Sequence, residues 1–408
     1  LPEKLDMYRR KLFDALKSHL HKKEFVILTG ARQTGKSTLL RQLQDDCKKE
    51  GFPEVYITLE NKTFLASLEE NPLNLLAFLP VTEKRVMVFI DEVQYLSDPS
   101  NFMKLLYDEH STRLKIIASG SSAFYLDTRF RDSMAGRKRI FHLPVCSFDE
   151  FLEMGGKQDL FAEKIRLTEQ PGAKSLQIDL LRMEWENYII FGGYPAVIME
   201  PDKKEKIVRL QEIRDSFVKR DIQDSGVVNE IAFYQLFRIL AGQTGNLLNT
   251  NELAVTLRIK HETVASYLLV LQKCFHIGLV RPFSRNLRKE LVKMPKVYLL
   301  DTGMRNCLLN NFQPLASRND NGEQWENMVY RLLVDKYGPD EVQYWRTSAG
   351  NEVDFVLQGI ENPKALEAKF DNTSAKPNKY KVFTEAYPDI PFGFVWMNPF
   401  GDDFFRRI

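Results

Sequence analysis

No apolar run in this 408-residue chain reaches the length that a bilayer crossing requires. The first residues, Leu1-Pro-Glu-Lys, carry no secretory pattern, so a cytoplasmic protein with no membrane partner is expected. Cysteine is scarce: Cys47, Cys146, Cys274 and Cys307 lie far apart and form no C-x-x-C. That spacing predicts reduced thiols and argues against a disulfide framework or a zinc site. The six histidines are scattered without metal-ligand spacing. A large charge of one sign is missing too. With 57 Lys and Arg against 55 Asp and Glu, net +2, any nucleic-acid surface must be a local patch.

What is present suits a soluble globular chain, with 44% apolar and 27% charged residues and a length that calls for two or three domains. Between the apolar run Phe25–Thr29 and an amphipathic stretch ending near Cys47 lies Gly30-Ala31-Arg32-Gln33-Thr34-Gly35-Lys36-Ser37-Thr38. It fits G-x-x-x-x-G-K-[ST] at every defined position. A loop with few side chains can wrap its N–H donors around phosphates at the positive end of the following helix. The whole stretch Gly30–Thr38 is therefore the candidate nucleotide-binding loop, with Lys36 on the β- and γ-phosphates. The competing reading is a Gly-rich turn.

Four more strand-like runs follow: Val55–Leu59, Val86–Ile90, Leu114–Ala118 and Arg139–Leu143. Helix-length segments separate most of them, which predicts a parallel sheet covered on both faces. Ligand chemistry in such sheets gathers at the strands' carboxyl ends. The third run ends in Asp91-Glu92. Asp91 is expected to hold Mg²⁺ together with Ser37, and Glu92 to orient and deprotonate the attacking water; exposed loop acids are the alternative. The fourth run ends in Ser119-Gly-Ser-Ser122, and Ser119, with Ser121 behind it, is the candidate γ-phosphate sensor; a Ser/Gly turn is the alternative. Basic residues then cluster at Arg129, Arg131 and Arg137–Arg139. Arg137, after a flexible Ala-Gly and with no acid nearer in sequence than Asp132, is the first candidate to reach a neighbouring subunit's nucleotide, Arg131 the second. A solvated basic loop or DNA contact competes with that role.

Taken together, Gly30–Ser37, VFIDEVQ at Val88–Gln94, ASGSSA at Ala118–Ala123 and AGR at Ala135–Arg137 resemble the AAA+-type ATPases of prokaryotes. FGGYPAVI at Phe191–Ile198 and the downstream GNEVDFVL…LEAK resemble the subgroup with a C-terminal domain of the DUF4143 type. The resemblance covers nearly the whole chain and implies ATP rather than GTP, in keeping with the lack of an N-K-x-D motif.

Residues 153–178 are polar and Gly-containing and read as a variable connection; helical periodicity resumes over Leu180–Phe191 and Lys203–Ile222, interrupted by a structural turn at Gly192–Pro195. A short helix opening at Thr250, a turn at Leu257–Lys260 and a second helix over His261–Phe275 give a helix-turn-helix layout. Leu279–Phe283 and Lys296–Leu300 read as wing strands. Between Arg281 and Lys296 stand six basic residues (Arg281, Arg285, Arg288, Lys289, Lys293, Lys296) against one acid, Glu290. Such a wing suits phosphate contacts, although winged helices also serve as protein–protein modules.

In the tail, a helix from Glu323 to about Tyr337 precedes strands at Gln343–Arg346, Val353–Leu357 and Ala365–Phe370. Alternation puts Glu367 and Lys369 on one face of the last strand, where Asp354 and, from the helix, Glu326 can join them. Two carboxylates holding Mg²⁺, Asp354 and Glu367, with Lys369 beside the attacking water, would make a phosphodiesterase site. The order D…E-x-K resembles the PD-(D/E)XK nuclease fold, although Val353 stands where that pattern has proline. An amphipathic hairpin with a charged face is the plainer alternative.

The expected fold is α/β. It comprises a parallel-sheet P-loop ATPase domain (1–152), a helical connection (153–235), a winged helix-turn-helix (236–312) and a nuclease-like α/β domain (313–408). The expected function is an ATP- and Mg²⁺-dependent, homo-oligomeric ATPase acting on duplex or single-stranded DNA. Its rival is a nucleotide-controlled switch whose C-terminal half binds a protein partner.

Overall fold

The computed structural model describes residues 8–120, 134–170, 172–284, 294–371, 373 and 376–397. Ser121, Arg129, Arg131, Arg285, Arg288, Lys289, Glu290 and Lys293 lie outside the described residues. The chain divides into two compact units, Leu1–Cys146 with Lys273–Phe275, and Ser147–Gln272 with His276–Ile408.

The first unit is built on five parallel strands in the order β2-β3-β4-β1-β5: β1 (Phe25–Thr29), β2 (Glu54–Thr58), β3 (Val86–Asp91), β4 (Leu114–Gly120) and β5 (Lys138–His142). Every residue of β1, β3 and β4 is buried. The period of two divides them between two cores. Phe25 and Ile27 join Val86, Val88 and Ile90 on one face, and Val26 and Leu28 join Met87 and Phe89 on the other. After α1 (Leu12–His19), α2 (Lys36–Lys49) covers the second face with Leu39, Leu40 and Leu43. Beyond α3 (Lys62–Glu70), α4 (Pro99–His110) covers the first face with Phe102, Met103 and Leu106. Each such side chain withdrawn from water contributes roughly 1.5–3 kcal/mol. Because β4 lies between β1 and β3, the loop after β1, the end of β4 and the end of β3 come side by side at one edge.

The second unit begins with α5 (Phe148–Met154), which Ser147 and Glu150 cap reciprocally, and continues with α6 (Gln158–Glu169). The connection expected over 153–178 thus contains a helix. Its apolar signal is weak because Lys164, paired with Asp149 at 2.8 Å, is its one buried side chain. Next come α7 (Ile178–Phe191), α8 (Pro195–Ile198), α9 (Lys203–Asp224), α10 (Glu230–Gly242), α11 (Thr250–Leu257) and α12 (His261–Lys273). The turn after α7 crosses the start of α13 (Thr302–Leu309) closely. Asp301 caps α13 by accepting from Met304 N at 2.7 Å, and it also accepts from Gly193 N at 2.8 Å. A Cβ at Gly192 would come within 2.4 Å of the Asp301 carboxylate, and one at Gly303 within 2.1 Å of the Phe191 carbonyl oxygen.

A mixed six-stranded sheet completes this unit, in the order β11-β10-β9-β8-β6-β7. Its strands are β6 (Ile277–Pro282), β7 (Lys296–Leu299), β8 (Gln343–Arg346), β9 (Glu352–Leu357), β10 (Lys364–Lys369) and β11 (Phe392–Trp396). α14 (Asn321–Tyr337) precedes β8, and α15 (Lys381–Ala386) lies between β10 and β11. The hairpin β6–β7 is antiparallel, and β6 pairs in parallel with β8 through Arg281 with Gln343 and Pro282 with Tyr344. The boundary expected at 312–313 therefore does not separate two sheets.

The close crossing at Gly303 is directly testable. Gly303→Ala is expected to lower the stability of this unit by roughly 2–3 kcal/mol. Gly322→Ala, with nothing within 4 Å of its added methyl, should change little. Denaturant unfolding followed by circular dichroism measures both, and equal midpoints would contradict the crossing.

Candidate functional site

At the edge of the first sheet the P-loop is held from several sides. Gly30 has no room for a side chain, since a Cβ there would stand 2.3 Å from the Leu143 carbonyl oxygen. Gly35, with φ 93°, caps α2 in the left-handed region that glycine occupies without strain. Thr34 Oγ1 donates to the Ala31 carbonyl at 2.9 Å. Lys36, buried, turns back and donates to the carbonyls of Gly30 and Ala31 at 2.9 and 2.8 Å. Ser37 and Thr38 follow in the first turn, half-buried; Arg32 is half-buried and Gln33 exposed, its φ of 60° left-handed. One contact was not legible beforehand. Arg10, ahead of α1, donates to the Thr34 carbonyl and to the Pro144 carbonyl, both at 2.7 Å, and so ties the loop to the chain leaving β5.

The acids at the end of β3 meet the end of β4. Asp91 accepts from Tyr56 Oη at 2.8 Å and, at short range, from Ser119 Oγ, while the Glu92 N–H donates to Ser119 Oγ at 3.2 Å. The candidate sensor thus fixes both acids. Glu92 takes a left-handed backbone, φ 62°, unusual for a residue with a side chain, and its carboxylate accepts from Gln94. Burial pushes its carboxyl above the ordinary glutamate range, opposed by the Lys36 charge. Lys36, Asp91, Glu92 and Ser119 therefore share one edge.

Arg137 does not join them. Its carbonyl accepts from Phe25 N at 2.9 Å, at the edge where β1 begins, whereas the P-loop follows the other end of β1. The expectation that no acid lies near it is corrected: Arg137 Nε donates to Asp108 Oδ1 at 2.7 Å and Nη2 to Oδ2 at 3.3 Å. Asp108, remote in sequence, comes from α4. The pair is half-exposed, so it is easily exchanged for another partner.

A second centre is built from α14 and strands β7, β9 and β10. Glu326, Asp354, Glu367 and Lys369 do converge. Ala368 N donates to Asp354 Oδ2 at 3.0 Å, Asp354 N to Glu367 Oε2 at 3.3 Å, and Lys369 Nζ to Glu367 Oε1 at 2.6 Å. Four further groups were not foreseen. Tyr380 Oη donates to Glu367 Oε1 and Tyr298 Oη to Glu326 Oε1, each at 2.6 Å. Lys296 Nζ stands 2.6 Å from Glu352 Oε1, 3.2 Å from Glu326 Oε1 and 3.6 Å from Asp354 Oδ1. Its expected place among the basic wing residues is corrected: the side chain is 2% exposed and surrounded by carboxylates. The signal available was alternation in β7, which puts Lys296 on the face of the tyrosine Tyr298. Burial and the Asp354 charge push Glu326 up to about 8 and Glu367 up to about 7, while the surrounding carboxylates hold the Lys296 ammonium above its ordinary value against burial.

This donor set does not fit a divalent ion as it stands. Both oxygens of Asp354 and both of Glu367 are engaged by protein donors, two of them ammonium groups. Among the described residues no three His, Cys, Asp or Glu side chains converge as a metal-holding group.

In the helix pair, a three-residue turn joins α11 to α12, with Arg258 left-handed at φ 53°, and Val264, Leu268 and Leu271 face inward as the sequence predicts. The outward face of α12 carries Glu262, Ala265, Ser266 and Leu269.

Residues 22–152 match the AAA domain family, 182–315 a domain of unknown function (DUF8612), and 321–399 the domain of unknown function DUF4143. An uncharacterized protein of Mycobacterium tuberculosis is 26% identical over 368 residues, 90% of this chain and 74% of that one. Another, from Methanocaldococcus jannaschii, is 25% identical over 393 residues, 94% and 83% of the two chains. Among solved structures, the Thermotoga maritima RuvB Holliday junction branch migration motor aligns over 71% of this chain and 94% of its own, at 15% identity and a TM-score of 0.33. A superposition with so low a score bears no argument about function. No helix among the described residues is long and apolar enough to cross a membrane.

The raised carboxyls of the second centre set a pH dependence. Folded Glu326 and Glu367 keep protons that the unfolded chain releases, so their contribution to stability is present below the ordinary glutamate range. It is lost as pH rises toward about 8. Denaturant unfolding of the second unit should therefore become easier between about pH 5 and about pH 8, with Glu326→Gln flattening the slope. A slope unchanged in Glu326→Gln would contradict this assignment.

Proposed function

We propose that this chain, which carries an AAA domain and a C-terminal DUF4143 domain, is a Mg²⁺-dependent ATPase that assembles with copies of itself and acts on DNA. The AAA-type fold supports nucleotide binding, and the carrying observation is the Asp91–Ser119–Glu92 arrangement at the P-loop edge. The loop's N–H groups and Lys36 hold the phosphates. Ser37 and Asp91 are hard oxygen donors, and the hydrogen bonds Asp91 accepts come from neutral hydroxyls, so its charge is left for a cation. Bound Mg²⁺ neutralises charge developing on the phosphates. Glu92, oriented by Gln94 and with its proton affinity raised by burial, accepts the proton of the attacking water.

Support for DNA comes from the helix pair α11–α12, the hairpin β6–β7 and the basic run within 281–293 of the sequence. The order α14-β8-β9-β10-α15-β11, with Asp354, Glu367 and Lys369 on adjoining strands, supports a nuclease-like fold. No cleavage step is assigned to it, because its donors are already engaged. One observation favours the rival reading, a nucleotide-controlled switch with a protein partner: the exposed residues of α12 are His261, Glu262, Ala265, Ser266 and Leu269, and the exposed bases Arg258 and Lys260 are confined to the turn ahead of it.

Lys36→Ala is expected to abolish nucleotide affinity, while Glu92→Gln keeps binding and blocks hydrolysis, measured by equilibrium binding and phosphate release. Normal turnover in Glu92→Gln would remove Glu92 as the base. Stimulation of that turnover by duplex or single-stranded DNA separates the two readings, since a switch for a protein partner shows none. Arg137→Ala should leave ATP binding intact and lower kcat by about a thousandfold or more. Mixing it with Lys36→Ala subunits should restore part of the rate if the site is shared. Mixtures that co-assemble and stay inactive would return Arg137 to its pairing with Asp108.

A further inference from the structure

The acidic centre of the second unit already contains a cation. Lys296 Nζ lies among Glu352 Oε1, Glu326 Oε1 and Asp354 Oδ1 at 2.6, 3.2 and 3.6 Å, with its side chain 2% exposed. Its backbone is fixed as well. Lys296 forms an isolated bridge with Leu247, Leu248 N donates to the Pro295 carbonyl at 2.8 Å, and Gly245 N donates to the Val297 carbonyl at 2.9 Å. The same segment makes room for the cluster, since a Cβ at Gly245 would come within 2.9 Å of Glu326 Oε1. On the other side of Asp354, Lys369 occupies Glu367. The charges facing Lys296 thus come from α14 and β9, with Arg346 bound to the outer oxygen of Glu352 at 2.9 Å.

We propose that Lys296 is the resident cation of this centre: its ammonium, held among Glu326, Glu352 and Asp354, supplies the positive charge these acids need and closes the centre to metal. The centre is then a charge clamp that fastens the hairpin strand β7 to the acid-bearing strand β9 and to α14. A buried ammonium with three carboxylates is costly to remove, because each acid would be left without its counter-charge. A divalent ion would have to displace that ammonium, whose side chain is 2% exposed, from its contacts with the acids. The clamp does not depend on the ATPase reading, and nucleotide-free protein tests it separately.

The test is Mn²⁺ binding to the nucleotide-free full chain, read from the loss of the free Mn²⁺ paramagnetic resonance signal. The unmodified protein should take up no Mn²⁺ that Asp354→Asn abolishes. Lys296→Met keeps the length of the side chain and removes its charge. It should gain a site about tenfold or more tighter than any in the unmodified protein, lost again when Asp354→Asn is added. An Asp354-dependent Mn²⁺ site in the unmodified protein overturns the proposal, as does a folded Lys296→Met that gains none. A second measurement needs no variant. Under lysine acetylation read by mass spectrometry, Lys296 should stay unmodified both without and with millimolar Mn²⁺. Acetylation of Lys296 once Mn²⁺ is added would show the ion displacing it, and overturn the clamp.

Discussion

A carboxylate drawn out of water at the end of a buried strand has to be met by donors, and both acid centres of this protein follow from how that is done. At the end of β3, Asp91 is met by the hydroxyls of Tyr56 and Ser119. Neutral donors satisfy its lone pairs and leave its charge uncompensated by any of them. On β9, Asp354 is met by a backbone N–H and by the ammonium of Lys296. There the charge itself is compensated, and burial with the Asp354 charge raises the proton affinity of Glu326 and Glu367. Two centres that look alike as motifs are electrostatically different.

The nucleotide edge is shaped before any ligand enters. Lys36 rests on the carbonyls of Gly30 and Ala31, Arg10 holds the Thr34 carbonyl, and the Leu143 carbonyl forbids a side chain at Gly30. The left-handed backbone of Glu92 keeps its carboxylate at the same edge, where Ser119 restrains the preceding N–H.

In the second unit, the hairpin after α12 is part of the sheet that carries Asp354 and Glu367. Whatever partner the helix pair and hairpin meet, DNA or protein, is therefore connected through hydrogen-bonded strands and the Lys296 clamp to the acidic centre. The hairpin and the acid-bearing strands thus belong to one hydrogen-bonded sheet.

Local rules made much of this legible. Apolar runs located the five strands of the first sheet, most clearly β1 and β3, which bury both faces. The P-loop and the acids after β3 were legible because phosphate chemistry imposes residue types at fixed spacing. Glu367 and Lys369 could be grouped from strand alternation, with Asp354 from the neighbouring strand and Glu326 from the helix placed to join them. Helix α6 escaped because its short apolar set is flanked by polar and glycine-containing segments and Lys164 is its one buried side chain. Contacts between residues far apart in the chain were decided only by the tertiary structure: Arg10 on the P-loop, Asp108 on Arg137, Lys296 among its carboxylates. A lysine reads the same in sequence whether solvated on a wing or enclosed by acids. Its surroundings come from α14 and β9, some 30 and 56 residues further along the chain, and only folding brings them within 4 Å of its ammonium.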